Sequence, residues 1–193
     1  GHEISHLDLG GGLGIPYSDE SLADLNAYNQ IILETLWDLD CKLSIEPGRY
    51  LVGEAGILIT RVIYIKQGEQ KKFVIVDGAM NDLIRPTLYD GFHAIVPVTE
   101  KNLSSQKSLC DVVGPICESG DYFAKDRMLP EVSQNDLLAI TCSGAYGAVM
   151  ASNYNSRPLI PEVLVSNDVF SVIRERQAFE KIIQDEKLAA WLQ

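Results

Sequence analysis

The chain has 193 residues, is 46% hydrophobic and carries a formal net charge of −11 at pH 7. That length allows one ordinary domain or parts of two, and that hydrophobic fraction allows a real core. The acidic balance argues against a broad nucleic-acid or anionic-membrane surface, and no apolar run approaches the roughly 20 residues of a membrane span.

In chain order, Ile4 to Leu9 reads as a buried strand entering Gly10-Gly11-Gly12-Leu13-Gly14. Ser18 is a candidate N-cap for a helix whose stripe is Leu22, Leu25, Asn29, Ile32 and Leu36, ending near Asp38 to Asp40. A second strand, Lys42 to Ile45, enters Glu46-Pro47-Gly48-Arg49. Strand, glycine turn, helix, strand and turn is the grammar of a βαβ unit. From Ile57 the pattern changes. Strands are expected at 57–65, 72–76, 93–98, 109–116, 137–143 and 162–165, with a hairpin loop at Gln67 to Gln70. Gly-, Pro-, Asn- and Asp-rich connections suggest a mostly antiparallel sheet or barrel. Phe170 to Leu192 reads as a terminal helix. The division expected is therefore an α/β segment, 1–56, and a β domain with a terminal helix, 57–193. The opening without Met, almost directly into an apolar strand, suggests a fragment of a longer chain.

No basic-then-apolar leader is expected. Cys41, Cys110, Cys117 and Cys142 show no CxxC spacing, so the default setting is reducing and cytoplasmic. His2, His6 and His93 form no metal-ligand pattern, and no metal is expected.

Four turns carry candidate chemistry. The Gly10–Gly14 turn can cradle an anion on its backbone N–H groups, or can be a tight turn with no ligand. It is neither a GxGxxG fingerprint nor a P-loop. In Glu46-Pro47-Gly48-Arg49, Pro47 fixes the backbone, Gly48 frees an N–H, and Arg49 can clamp a carboxylate or phosphate; the plainer reading is a turn with a surface salt bridge. Two such turns ending successive parallel strands stand where α/β folds bind ligands. Arg85 and Tyr89 could share a helical face, after the Asp77-Gly78-Ala79-Met80-Asn81-Asp82 stretch. Cys117-Glu118-Ser119-Gly120-Asp121 ends the apolar run Leu109 to Ile116, which reads as a buried strand delivering a thiol and a carboxylate to a turn; a structural cysteine is the alternative. In Ser143-Gly144-Ala145-Tyr146-Gly147 the glycines leave Tyr146 on a sparse backbone, suited to a ring contact with a ligand or to a core bend.

Taken together, His6 through Ile15, Glu46-Pro47-Gly48-Arg49, Cys117 through Asp121 and Gly144-Ala145-Tyr146-Gly147, in this order, resemble the ornithine, diaminopimelate and arginine decarboxylase family, and within it the diaminopimelate decarboxylases. Arg157-Pro158, Pro161 to Val165 and Ile173 to Arg176 are similar to that family too. The resemblance covers essentially the whole chain but only the carboxyl-terminal half of the family's length. It implies an alanine-racemase-like fold: the tail of a (β/α)8 TIM-like barrel followed by an antiparallel β-sandwich or barrel domain. It implies pyridoxal 5'-phosphate as cofactor, with Gly11, Gly12, Glu46, Gly48, Arg49 and Tyr146 binding it. Arg49, Arg85, Tyr89, Glu118 and Tyr146 become substrate-binding residues, and Cys117 the catalytic proton donor. It implies a homodimer whose active sites are shared across the interface, the cysteine stretch coming from the partner subunit. The reaction implied is decarboxylation of meso-2,6-diaminopimelate to L-lysine and CO2.

The residue types suit that chemistry. An ordinary thiol, with a pKa of about 8.5, is mostly protonated at neutral pH and can donate to a carbanion. A carboxylate beside it can hold a distal ammonium, and arginines suit a distal carboxylate. The ornithine enzymes' resemblance would place Asp where Glu118 stands, so Glu118 favours diaminopimelate. The family's cofactor lysine, in a Tyr-Ala-x-Lys-Ala-like motif, is absent from these residues, as is its cofactor-stacking histidine, so the chain alone is expected to lack a complete active site. The competing readings are an ornithine or arginine decarboxylase, and a non-catalytic β module for dimerisation or small-anion binding.

Overall fold

The computed structural model describes residues 3–192; Gly1, His2 and Gln193, at the ends of the two expected domains, lie outside the described residues. β1 (His6–Asp8) and β2 (Lys42–Ser44) pair in parallel, His6 opposite Lys42 and Asp8 opposite Ser44. A parallel pair requires a long crossover, and α1 (Leu25–Leu36) supplies it. The helix starts later than Ser18. Asp24 caps it, its carboxylate accepting from the N–H groups of Asn26 and Ala27 at 2.9 and 3.0 Å. The Ser18 N–H donates instead to the Glu20 carboxylate at 2.7 Å, a local bond that competes with helix formation. Tyr28, Ile32 and Leu36 are half-buried along one stripe, while Leu25, Ile31 and Leu33 are exposed. α2 (Gly48–Val52) begins directly after Pro47.

The remainder is built on a curled six-stranded sheet. Its strands are β3 (Leu58–Gln67), β4 (Lys72–Val76), β5 (Ile95–Pro97), β6 (Lys107–Val113), β7 (Tyr122–Pro130) and β8 (Leu137–Ile140), in the order β5-β8-β3-β4-β6-β7. α3 (Arg85–Tyr89) lies between β4 and β5, and α4 (Glu100–Leu103) between β5 and β6. β3 pairs with β8 through Leu58 to Arg61 and with β4 through Val62 to Gln67, the register shifting between Val62 and Tyr64. A bulge of this kind bends and twists a strand, letting it pass from one part of a sheet to the next. The outer strands β5 and β7 approach each other, and Arg127 Nη1 of β7 donates to the carbonyl of His93 at 2.8 Å, so the sheet nearly closes as a barrel. Inside lie Val62, Val74, Val76, Val112, Phe123, Leu129, Leu138 and Ile140, all essentially without solvent contact. Each fully buried side chain of this kind contributes about 1.5–3 kcal/mol.

Four expectations are corrected. The sheet is mostly but not wholly antiparallel, because β4 and β6 run parallel, joined by the long connection through α3, β5 and α4. β7 was not expected; Lys125, Asp126 and Arg127 interrupt its apolar pattern, and Asp126 adopts φ 49 where the register with β6 shifts. The strands expected to reach residues 116 and 143 stop at Val113 and Ile140, before Gly114 and before Cys142 at φ 53. The terminal helix expected over Phe170 to Leu192 begins instead as β10 (Val169–Arg174), which pairs antiparallel with β9 (Glu162–Ser166), the strand expected at 162–165. Asn167 takes φ 51 at the turn between them, which Asn tolerates, and β-branched Val169, Val172 and Ile173 favour strand. Only α5 (Glu180–Ile183) and a 3-10 turn at Ala190–Leu192 are helical beyond it.

Candidate active site

The first assembly lies where β1 and β2 end. The Asp8 carboxylate accepts from the Gly10 N–H at 2.7 Å, and the Gly10 carbonyl accepts from the Glu46 N–H at 2.7 Å. Gly10 and Gly12 have φ +70 and +92, a region that favours glycine. A Cβ on Gly11 would stand 2.6 Å from the Glu46 carbonyl oxygen, so only glycine lets the two turns close on each other. At Gly12, Gly14 and Gly48 a Cβ would meet nothing within 4 Å. The N–H groups of Gly11, Gly12, Leu13 and Gly14 make no hydrogen bond to the described residues. The result is a bare backbone rim with unpaired donors, suited to an anion. The Gly48 N–H, expected to be free, donates to the Glu46 carbonyl at 2.8 Å, because Pro47 folds the chain into a tight turn.

Arg49 follows in the first turn of α2, with its guanidinium carbon 5.6 Å from the Tyr146 ring centroid, a cation–π contact. Tyr146 is 41% exposed and held at φ 60. Its loop is pressed onto the chain around α2: the Ser143 N–H donates to the Gly56 carbonyl at 2.8 Å and the Gly144 N–H to the Gly53 carbonyl at 3.1 Å. A Cβ on Gly144 would collide with the Val52 carbonyl oxygen. The predicted Gly11, Gly12, Glu46, Gly48, Arg49 and Tyr146 are thereby gathered into one region.

The second assembly is the loop after β6. Cys117 and Glu118 are both exposed, well past the strand end at Val113 rather than carried on it. What fixes the loop is Asp121, 4% exposed, whose carboxylate accepts from Met80 N–H at 2.7 Å and Ile116 N–H at 2.6 Å. The Thr87 hydroxyl donates to the Gly120 carbonyl. Glu118 accepts from the Gly120 N–H at 3.1 Å and from the Tyr154 hydroxyl at 3.3 Å. The Glu118 charge, and this hydrogen bond to it, push the Tyr154 phenol up from its ordinary pKa. Among the described residues no hydrogen bond or ring contact joins Cys117 or Glu118 to Arg49 or Tyr146.

Arg85 and Tyr89, expected on one face, separate at the two ends of α3. Arg85 is 8% exposed and Tyr89 63% exposed. Arg85 lies over the Tyr17 ring, 4.5 Å from its centroid, and its Nη1 donates to His93 Nε2 at 2.8 Å. His93 Nδ1 lies 2.8 Å from the Thr141 carbonyl, which can only accept, so Nδ1 carries the proton and Nε2 is the acceptor. The imidazole is neutral. Burial lowers its pKa first of all; the Thr141 bond opposes this, and nearby Arg85 and Arg127 lower it further.

Sequence reasoning gave no role to Asp121, His93, Tyr17 or Tyr154, nor to the buried Asn81–Asp82 pair bound by Arg157, whose Nε donates to Asn81 Oδ1 at 3.0 Å. Burial raises the Asp82 pKa despite its bond from the Ala79 N–H. A groove of about 830 Å3 between β3 and β9, lined by Ile57, Ile59, Asp82, Arg157, Val163 and Arg176 among others, contains none of the expected site residues.

A glycine rim that leaves backbone donors unpaired, clasped to the turn that carries Arg49, with Arg49 set over a strained tyrosine, is suited to a small anion. The family described as pyridoxal-dependent decarboxylase, C-terminal sheet domain, matches residues 19–144, and the chain belongs to it. It is 50% identical over 183 residues to the diaminopimelate decarboxylase of Neisseria meningitidis serogroup A, covering 95% of this chain and 44% of that protein. It is 48% identical over 194 residues to the Zymomonas mobilis diaminopimelate decarboxylase, covering 100% of this chain and 45% of that protein. The Helicobacter pylori diaminopimelate decarboxylase in complex with L-lysine superposes with a TM-score of 0.86 at 48% identity, over 93% of this chain and 44% of that one. The chain thus spans less than half the length of these relatives. Pyridoxal phosphate is the cofactor of the family, and the bare rim at Gly12 and Gly14, with its unpaired N–H groups, fits the cofactor's phosphate.

Proposed function

We propose that the chain is the carboxyl-terminal portion of a decarboxylase that converts meso-2,6-diaminopimelate to L-lysine and CO2. The observation that carries this reading is the clasp of the glycine turn on the Glu46–Arg49 turn, with Arg49 set over Tyr146, in a chain of this family. The relatives' names, and the lysine in the Helicobacter pylori complex, supply the reaction.

Bound there, pyridoxal phosphate supplies the electron sink for carboxylate loss. The N–H groups of Gly11 and Gly12 would hold its phosphate, within the turn that Glu46 and Gly48 close, and Arg49 and Tyr146 would help to bind it. Arg49, Arg85 and Tyr89 hold the substrate, Glu118 holds its distal ammonium, and Cys117 Sγ delivers a proton to the carbon that has lost CO2. Residues 1–56 form the tail of a (β/α)8 barrel, supported by the parallel β1–β2 pair with α1 as its crossover and both turns at strand ends. Residues 57–193 form the sheet domain. The rest of the barrel supplies the cofactor lysine, and it supplies cover for Ile31, Leu33 and Trp37, which are 61%, 59% and 80% exposed. The enzyme works as a homodimer in which Cys117 and Glu118 serve the partner's site; the lack of any contact from them to Arg49 or Tyr146 supports this. The free cysteines suit a cytoplasmic setting, and no helix among the described residues is long and apolar enough to cross a membrane.

The test is kcat/KM of the full-length enzyme on meso-diaminopimelate, ornithine and arginine side by side. Preference for diaminopimelate is expected. Preference for ornithine or arginine would move the assignment within the family, and absence of CO2 release from all three would return the chain to a non-catalytic module.

A further inference from the structure

Arg85 is a largely buried cation, 8% exposed, that has no counter-ion among the described residues. Its Nε and Nη2 make no hydrogen bond to the described residues; the one polar partner is His93 Nε2, at 2.8 Å on Nη1. A largely buried guanidinium whose remaining N–H groups meet water but no acceptor among the described residues favours a site that an anion completes. We infer that His93 is a positioning residue: as the neutral Nδ1–H tautomer it grips one edge of the Arg85 guanidinium and leaves the other edge free for a carboxylate of the substrate. This rests on the assignment of Arg85 to substrate binding proposed above.

Three features make the grip directional. His93 has no solvent contact, so its ring cannot swing away. The Thr141 carbonyl fixes the proton on Nδ1, which keeps the Nε2 lone pair aimed at Arg85. The Tyr17 ring lies beneath the Arg85 guanidinium and stands edge-on to the His93 ring, at 5.2 Å and 80°, so it confines both. A carboxylate in place of His93 would pair with the guanidinium and compete with the substrate; a neutral acceptor orients it without quenching its charge. The groups facing His93 are Arg85 from α3, Arg127 from β7, Tyr17 ahead of α1 and the Thr141 carbonyl after β8. Protonating the ring would set a third positive charge between two guanidiniums and remove the acceptor that holds Arg85.

A plainer role also exists, since the His93 carbonyl ties β7 to the start of β5 at the barrel seam. That bond is made by the backbone and survives side-chain substitution, so the two roles separate. In the full-length enzyme, His93→Phe keeps the ring volume but loses the acceptor. KM for the amino-acid substrate should rise about tenfold or more while kcat stays within about threefold, the pattern of lost binding common to ground and transition states. His93→Gln, which can accept from Arg85 and donate to Thr141, should bring KM back to within about threefold of wild type. KM of the wild type should also climb as pH falls below the ordinary histidine range near 6.5, and His93→Gln should lack that added climb. A raised KM in Arg85→Ala with an unchanged KM in His93→Phe overturns this inference alone. An unchanged KM in Arg85→Ala overturns the substrate role of Arg85 and this inference with it. If His93→Phe does not fold, the pH series decides: a limb identical in wild type and His93→Gln overturns the inference, and its loss in His93→Gln supports it.

Discussion

The glycine turn after β1 and the Cys117 loop after β6 are both exposed and both follow a strand, yet they are held in different ways. The glycine turn is clasped mainly by backbone: the Gly10 carbonyl receives the Glu46 N–H and Gly11 sits against the Glu46 carbonyl, with the Asp8 carboxylate holding the Gly10 N–H. The Cys117 loop is held chiefly by a buried side chain, Asp121, which binds the Ile116 N–H within the loop and the Met80 N–H from the segment between β4 and α3, while the Thr87 hydroxyl donates to the Gly120 carbonyl. A backbone clasp leaves its donors pointing outward at a shape, which suits a phosphate. A side-chain anchor leaves the exposed tip free to carry whatever functional groups the reaction requires. The first surface offers donors to an anion; the second presents a thiol and a carboxylate.

The sharpest way to break this contrast is Cys117→Ala in the full-length enzyme. If the loop exists to present an acid, kcat should fall by about 10²–10⁴-fold, the range for a positioned proton donor, with KM changed little. The thermal midpoint should hold, because Cys117 is exposed and makes no hydrogen bond to the described residues. Unchanged turnover would reduce the loop to an ordinary surface turn.

Asp121→Ala tests the anchor rather than the tip. It strands the Met80 and Ile116 donors, each costing about 1–3 kcal/mol where it stays buried without a partner. A shift in the urea midpoint accompanied by lower kcat is expected, since the loop carrying Cys117 loses its hold. A stability loss with unaltered kcat would separate anchor from chemistry. On the other side of the contrast, Gly12→Ala places a side chain at φ +92, a strain of about 1–2 kcal/mol. Nothing crowds the new methyl, so weaker retention of pyridoxal phosphate should exceed any change in folding. Equilibrium dialysis of the cofactor measures it.

These two loops also explain what the sequence disclosed. A backbone clasp needs glycine, and glycines following a strand are visible as such; Gly11, Gly12 and the Glu46–Arg49 turn were legible for that reason. A side-chain anchor can be any carboxylate in a turn, and nothing local distinguished Asp121 from Asp126. The sheet was legible where apolar residues alternate, as in β3, and was missed where charges interrupt them, as in β7. The terminal segment was misread because Val172, Ile173, Phe179 and Ile182 suit either a helix stripe or strand faces. The Arg85–His93 bond joins residues eight apart in sequence through packing that no periodicity records.

His93 also predicts a pH dependence of stability. Its folded pKa is lowered, so its contribution is present above the unfolded value near 6.5 and is lost as pH falls through the folded value. Asp82, with its folded pKa raised, works in the opposite sense: its contribution is present below about 3.8 and is lost as pH rises through the folded value. The urea midpoint of the full-length enzyme should therefore decline on acidification below about 6.5, less steeply in His93→Gln.

The smallest effect expected concerns Tyr154. Its hydroxyl donates to Glu118 at 3.3 Å from a turn in which Asn155 and Ser156 both take φ 56, so the chain accepts backbone strain next to this phenol. The bond is exposed and long, so its net worth is small. Tyr154→Phe leaves the ring and the turn intact and frees the Glu118 carboxylate to rotate. If Glu118 reads the substrate's distal ammonium and the glycine clasp holds the cofactor, kcat/KM for diaminopimelate should fall about two- to tenfold while cofactor retention stays constant. A fall in cofactor retention instead would mean that the two loops are coupled, and that the division between a binding surface and a presenting one does not hold in the assembled enzyme.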